Sequence, residues 1–285
     1  MPQNNDFRAK HVRSHIANAV FYIPFGYYYA VRLGTLPKLL SWLLIYIMPT
    51  AFYSFNTYEG AWLPFAVNYL LVLLAVFSLY ELGYILNDTI AIQREEQPAI
   101  RLYPNNFEHF SRYSRLIVLA RFSYAALALA VLYLINNTLL TLPLVANILL
   151  IPVIFAIYNS WRSKQNVWLY PVLVFSRYLP FMLLYNMDGL AILMLFISFP
   201  LVNMLERFSM PRYRFPLMRK LIPTEDSKTL FRTVYYLIVI WLPLLLPLPI
   251  TTKYIYMFPL EILCFYRLML YFIVKHCRPT NYLNG

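Results

Sequence analysis

The sequence predicts an all-α, polytopic membrane bundle of eight or nine transmembrane helices, and three observations carry that prediction. Of the 285 residues, 61% are hydrophobic and only 13% are charged, whereas a soluble domain carries about a quarter charged residues. The mean hydropathy is +0.56. Apolar runs recur along the whole chain, each long enough to cross a bilayer core, which takes about 20 residues at about 1.5 Å each. A single soluble core cannot hide a run such as 65–84 (FAVNYLLVLLAVFSLYELGY) on all sides while several equal runs compete for it.

Taken in order, the qualifying runs are 39–55, 63–86, 115–135, 139–158, 168–185, 189–205, 231–250 and 254–275. A ninth, 15–33 (HIANAVFYIPFGYYYAVRL), contains Asn18, Pro24 and Arg32, so spanning, interfacial and re-entrant dispositions are all open to it. Basic residues gather before 14, in 88–115, 159–167 and 206–232, and at 275–278. The loops near 56–62, 136–141 and 186–190 contain no Lys or Arg, and 251–253 has only Lys253. Every second loop is therefore cytoplasmic by the positive-inside rule. Eight spans then leave both ends inside, and the basic junction from Arg32 to Lys38 favours that arrangement over a crossing by 15–33.

The net charge of +12 is accounted for by these loops and gives no argument for a nucleic-acid partner. Cys264 and Cys277 lack metal-ligand spacing and read as packing residues. The polar N-terminus has no small-residue cleavage site and reads as retained. No linker or charge shift divides the chain, so residues 1–285 are expected to form a single integral membrane domain.

Only twelve acidic residues are available for metal or acid–base chemistry. The segment 81–102 (ELGYILNDTIAIQREEQPAIRL) leaves an apolar helix and places Glu81, Asp88 and Glu95 at intervals of seven. On a continuing helix these share one face, about 10 Å apart per step. Two readings stand. Asp88 and Asn87 with water could hold Mg²⁺, which commonly takes one or two carboxylates plus substrate phosphate oxygens. Alternatively this is an ordinary helix end, polar because it is wet, although a carboxylate within an apolar run defaults to function.

Asn87-Asp88, with Glu95 eight residues after the Asn and Pro98 beyond it, resembles the first aspartate-rich motif, N-D-x-x-D-x-x-x-D, of the UbiA superfamily of intramembrane transferases. Ala91 stands where the middle Asp is expected, and Glu95 replaces the last one. The resemblance implies a UbiA-like fold, Mg²⁺ held by Asp88, Asn87 and Glu95 against a diphosphate, and one metal rather than two. Tyr158, Arg162 and Lys164 resemble the Tyr and basic pair ending the family's fourth helix, and Arg177 resembles an Arg in the fifth helix of the phosphoribosyl-transferring branch. After the sixth helix the chain offers Asn203, Glu206 and Arg207 instead of D-x-x-D, with Asp188 on the opposite side. Set against the family's pattern, the chain is expected to lack the ninth, C-terminal helix and to carry an extra N-terminal segment instead.

The resemblance thus implies a transferase of phosphoribosyl or related glycosyl groups, from a diphosphate-activated sugar to polyprenyl phosphate, serving polysaccharide biosynthesis at a bacterial inner membrane with its site facing the cytoplasm. Asp88 is then the metal ligand, Asn87 and Glu95 assist it, and Arg94, Arg101, Tyr158, Arg162, Lys164, Arg177, Glu206 and Arg207 are the substrate phosphate-binding set. Two other readings are carried: a prenyltransferase using a polyprenyl diphosphate and an aromatic or lipid acceptor, and a non-catalytic lipid-binding or transport protein.

Overall fold

The computed structural model describes residues 17–94, 100–161, 166–210, 213 and 215–277. Among them the protein is an all-α polytopic membrane bundle. Numbered in chain order, with the short helix Pro216–Leu221 and the 3-10 turns left unnumbered, its helices are α1 (Gly26–Tyr28, continued as a wider turn over Tyr29–Leu33), α2 (Leu36–Thr57), α3 (Trp62–Gln93), α4 (Pro104–Ile135), α5 (Leu142–Ser160), α6 (Asn166–Ser176), α7 (Leu179–Leu184), α8 (Gly189–Phe208), α9 (Ser227–Leu245) and α10 (Ile250–Ile273). Seven of these, α2 to α5 and α8 to α10, are long and apolar enough to cross a membrane. They coincide with seven of the eight expected runs.

The eighth run, 168–185, is two helices rather than one. Pro180 opens α7 and has no N–H, and its ring excludes the carbonyl four residues earlier, so α6 ends at Ser176. Arg177 and Tyr178 form the turn between the pieces. Carbonyls freed in this region still find donors: Tyr46 Oη donates to the Arg177 carbonyl at 2.7 Å and Ser54 Oγ to that of Phe181 at 3.2 Å. Irregular backbone is tolerated at membrane depth only on such terms.

The chain divides into two compact units, 1–40 with 66–161, and 41–65 with 162–285. In the first, the described part of the 15–33 candidate, residues 17–33, is broken into pieces each too short to span. A 3-10 turn over Asn18–Phe21 is followed by Phe25 in the left-handed region (φ 66°) and then by α1, which ends at Gly34 (φ 32°). Non-glycine residues rarely take that conformation, so surrounding contacts must hold it. They come from two buried charges. Arg121 of α4 donates through Nε to the Phe21 carbonyl (2.8 Å) and through Nη2 to that of Val20 (2.9 Å), while Glu81 of α3 accepts the Tyr28 N–H (2.9 Å) and pairs with Arg121. The positive charge thus meets carbonyls and the negative charge meets an N–H in the first turn of α1, the polarity a helix dipole favours.

Phe21, Tyr27, Ile85, Leu102, Phe110 and Ile117 form the core beneath this segment. α3 and α5 meet at Gly83, where an added Cβ would fall inside the Phe155 ring. Leu119, Leu127 and Leu134 of α4 remain exposed, as suits a helix solvated by lipid. In the second unit, Ile45, Val202, Tyr236, Leu263, Cys264 and Tyr266 pack together, joining α2, α8, α9 and α10.

Candidate functional site

Asp88 lies in the last turn of the regular part of α3 and is fully buried. Its Oδ2 accepts hydrogen bonds from Arg32 Nη2 (2.6 Å) and Tyr27 Oη (3.0 Å), both carried by the α1 segment. Its Oδ1 accepts from Arg101 Nη1 (3.0 Å) and from the neighbouring Asn87 Nδ2 (3.1 Å). A carboxylate offers about four lone-pair positions, and all of these are engaged. One carboxylate against two guanidiniums leaves a net charge of +1.

The two arginines are held but not enclosed. Their side chains are 20% and 34% exposed, against 0% for Asp88. Arg32 also lies over the ring of Tyr84, one turn before Asp88, at 4.7 Å, and its Nε has no hydrogen-bond partner among the described residues. Burial pushes the Arg32 guanidinium down, but the Asp88 carboxylate beside it outweighs that and raises it above the usual arginine value. Burial, followed by the Asp88 charge, pushes the Tyr27 hydroxyl well above its ordinary value, so Tyr27 stays a neutral donor. The result is a pair of fixed guanidinium forks with unused donors, suited to an oxyanion.

The residues expected from the sequence are distributed as follows. Asn87, Asp88 and Arg101 come together. Glu95, Arg162 and Lys164 lie outside the described residues, as does the side chain of Arg94, whose backbone ends the 3-10 turn Ala91–Arg94. Tyr158 is half-buried near the end of α5. Arg177, Glu206 and Arg207 belong to the second unit. There Arg177 is buried at the α6–α7 turn against the rings of Tyr46 (5.0 Å) and Tyr178 (5.3 Å). Glu206 binds Arg232 in a two-pronged pair, and Arg207 lies over the Tyr170 ring at 3.5 Å.

Glu81, seven residues before Asp88, is engaged by Arg121 and the α1 backbone, which makes it a brace for that segment. Arg32 and Tyr27 are residues of this cluster, and Arg121 and Arg267 buried cations, that are not among the candidates drawn from the sequence. The signal for the arginines was present: an Arg within an apolar run, the feature that singles out Arg177, also describes Arg32, Arg121 and Arg267.

As arranged, Asp88 has no acceptor position left for Mg²⁺ unless an arginine or Tyr27 withdraws. No group of three or more His, Cys, Asp or Glu side chains able to hold a metal occurs among the described residues. These residues therefore fit an anion better than a cation. No protein-family model, curated protein or solved structure matches the chain.

Proposed function

We propose that the chain is an integral membrane transferase of UbiA type, moving a phosphoribosyl or related glycosyl group from a diphosphate-bearing sugar to polyprenyl phosphate at the cytoplasmic side of a bacterial inner membrane. The observation that carries this reading is the pair Arg32 and Arg101, fixed on buried Asp88 with donors to spare. In such a transfer an acceptor phosphate oxygen forms a bond to the anomeric carbon as the bond from that carbon to the diphosphate breaks. The electron pair leaves with the diphosphate, whose charge rises. Arginines already oriented by a carboxylate stabilise that charge without reorganising. Asp88 acts in this reading as a positioning residue for the arginines, and no step is assigned to a metal. Asn87-Asp88, where the family resemblance is most specific, lies at this cluster.

The saturation of Asp88 also favours a second reading, a non-catalytic protein that binds a phosphate-bearing lipid through the same arginines. Purified protein incubated with labelled phosphoribosyl diphosphate and polyprenyl phosphate separates the two. Labelled lipid supports the transferase, whereas binding without turnover supports the second reading. Product formed only from a prenyl diphosphate would assign the protein to prenyl transfer and overturn the first choice.

A further inference from the structure

We infer a second phosphate-binding site, in the unit 41–65 with 162–285, built on Arg267 and Arg232. This inference does not depend on the transferase reading. Arg267 lies in the apolar helix α10, six residues before Ile273, about 9 Å from that end at about 1.5 Å per residue. It is 4% exposed, its Nε has no hydrogen-bond partner, and no carboxylate pairs with it among the described residues. Its visible company is the ring of Tyr266 at 5.2 Å. A ring face beside a guanidinium does not use its in-plane N–H donors.

The carboxylate that acts on Arg267, Glu206, is committed elsewhere. Both oxygens of Glu206 are taken by Arg232, which reaches across from α9 to α8. Arg232 and Glu206 both act electrostatically on Arg267, and Thr233 Oγ1, on the residue after Arg232, donates to the Arg267 carbonyl at 3.3 Å, so α9 and α10 touch at this level. Two guanidiniums against one carboxylate leave a net +1, with one cation buried in the apolar part of the fold. Such a charge requires an anion or a functional reason to be there.

Phosphate is the chemistry that fits. Its several oxygens can accept from two planar forks at once, and it carries up to two negative charges. The Arg232 side chain is 30% exposed, so an anion can reach it from outside the fold. Arg219, Lys220 and Lys228 lie on the segment leading to Arg232 and draw anions to that side. The phosphate could come from a lipid headgroup or from a free diphosphate.

The test uses the full chain in neutral detergent, with Arg101→Gln as the parent so that the Asp88 cluster contributes little. Inorganic diphosphate is titrated in one arm and phosphatidic acid in mixed micelles in the other, with binding and the thermal midpoint recorded. At least one probe should bind the parent and raise its midpoint, and adding Arg267→Gln should weaken that binding about tenfold or more. Binding of diphosphate alone assigns a soluble ligand; binding of phosphatidic acid alone assigns a headgroup. Without ligand, Arg267→Met should melt no lower than wild type, whereas an arginine with a purely structural role would make it melt lower. No binding by either probe, or equal binding with and without Arg267→Gln, overturns the site. If Arg267→Gln does not fold, Arg267→Lys decides: affinity several-fold weaker supports the site, and unchanged affinity overturns it.

Discussion

Glu81 and Arg121 form an ion pair in which both side chains are fully buried, one on each of two long apolar helices, and the pair closes on the backbone of the broken 17–33 segment. That segment carries Tyr27 and Arg32, so a brace in α3 and α4 sets the position of half the Asp88 cluster. The chain of cause runs from two charges in apolar runs, through a segment that cannot satisfy its own backbone, to the placement of a candidate anion-binding arginine.

Removing one partner of this pair leaves the other as an uncompensated buried charge. Glu81→Gln and Arg121→Gln are each expected to destabilise the protein by about 3–5 kcal/mol. Thermal unfolding in detergent measures this, and limited proteolysis should show earlier cleavage within 17–33. Wild-type stability in both variants would contradict the bracing role.

Gly83→Ala places a methyl group in the Phe155 ring and is expected to cost about 1–3 kcal/mol, because the ring is packed against Tyr80 (4.9 Å) and Tyr84 (5.4 Å). Phe155→Leu should relieve part of that cost, so the double variant should be less destabilised than the two single effects added together. Strict additivity in a double-mutant cycle would show that α3 and α5 do not meet there.

Asp88→Asn keeps the shape of the side chain but removes the charge that opposes two guanidiniums. The stability loss should fall below that of a fully buried pair, since Arg32 and Arg101 are partly exposed. Diphosphate binding should fall more than stability does, because the forks lose their orientation. With Asp88 saturated by N–H and O–H donors, diphosphate binding to wild-type protein should persist in excess EDTA. Binding abolished by EDTA and restored by Mg²⁺ would return Asp88 to the role of metal ligand.

The pH dependence follows from Tyr27. Its hydroxyl titrates well above the ordinary 10.0 in the fold, so the neutral form is the one stabilised. Its contribution is complete below pH about 10 and is lost only as pH rises beyond that toward the folded value. Tyr27→Phe should therefore show a stability difference from wild type that is flat from neutral pH up to pH about 10. A difference that already shrinks near neutrality would contradict the assignment.

Seven helices were legible because length and hydropathy suffice to define a membrane span, and each of the seven contains an apolar stretch long enough for one. The run 168–185 satisfied composition as well, but Pro180 decided its geometry. Asn87-Asp88 was legible as a candidate site from two adjacent polar residues at the end of an apolar helix. The partners of Asp88 were not, because Tyr27 and Arg32 lie 61 and 56 residues earlier in the chain. Only the fold brings them together. For the same reason Glu81, although on the same helix face by its spacing, took a different role: its partners come from α4 and from the α1 backbone.

In the proposed reaction Arg32 and Arg101, positioned by Asp88, stabilise the leaving diphosphate. The direct measurement is transfer of label from phosphoribosyl diphosphate to polyprenyl phosphate by wild-type protein and by the folded double variant Arg32→Gln/Arg101→Gln. Labelled lipid is expected from wild type and a rate lower by about 100-fold or more in the variant, the scale on which removing a transition-state donor acts. Equal rates in the two proteins, or wild-type protein that neither transfers the label nor binds the diphosphate, would contradict this role.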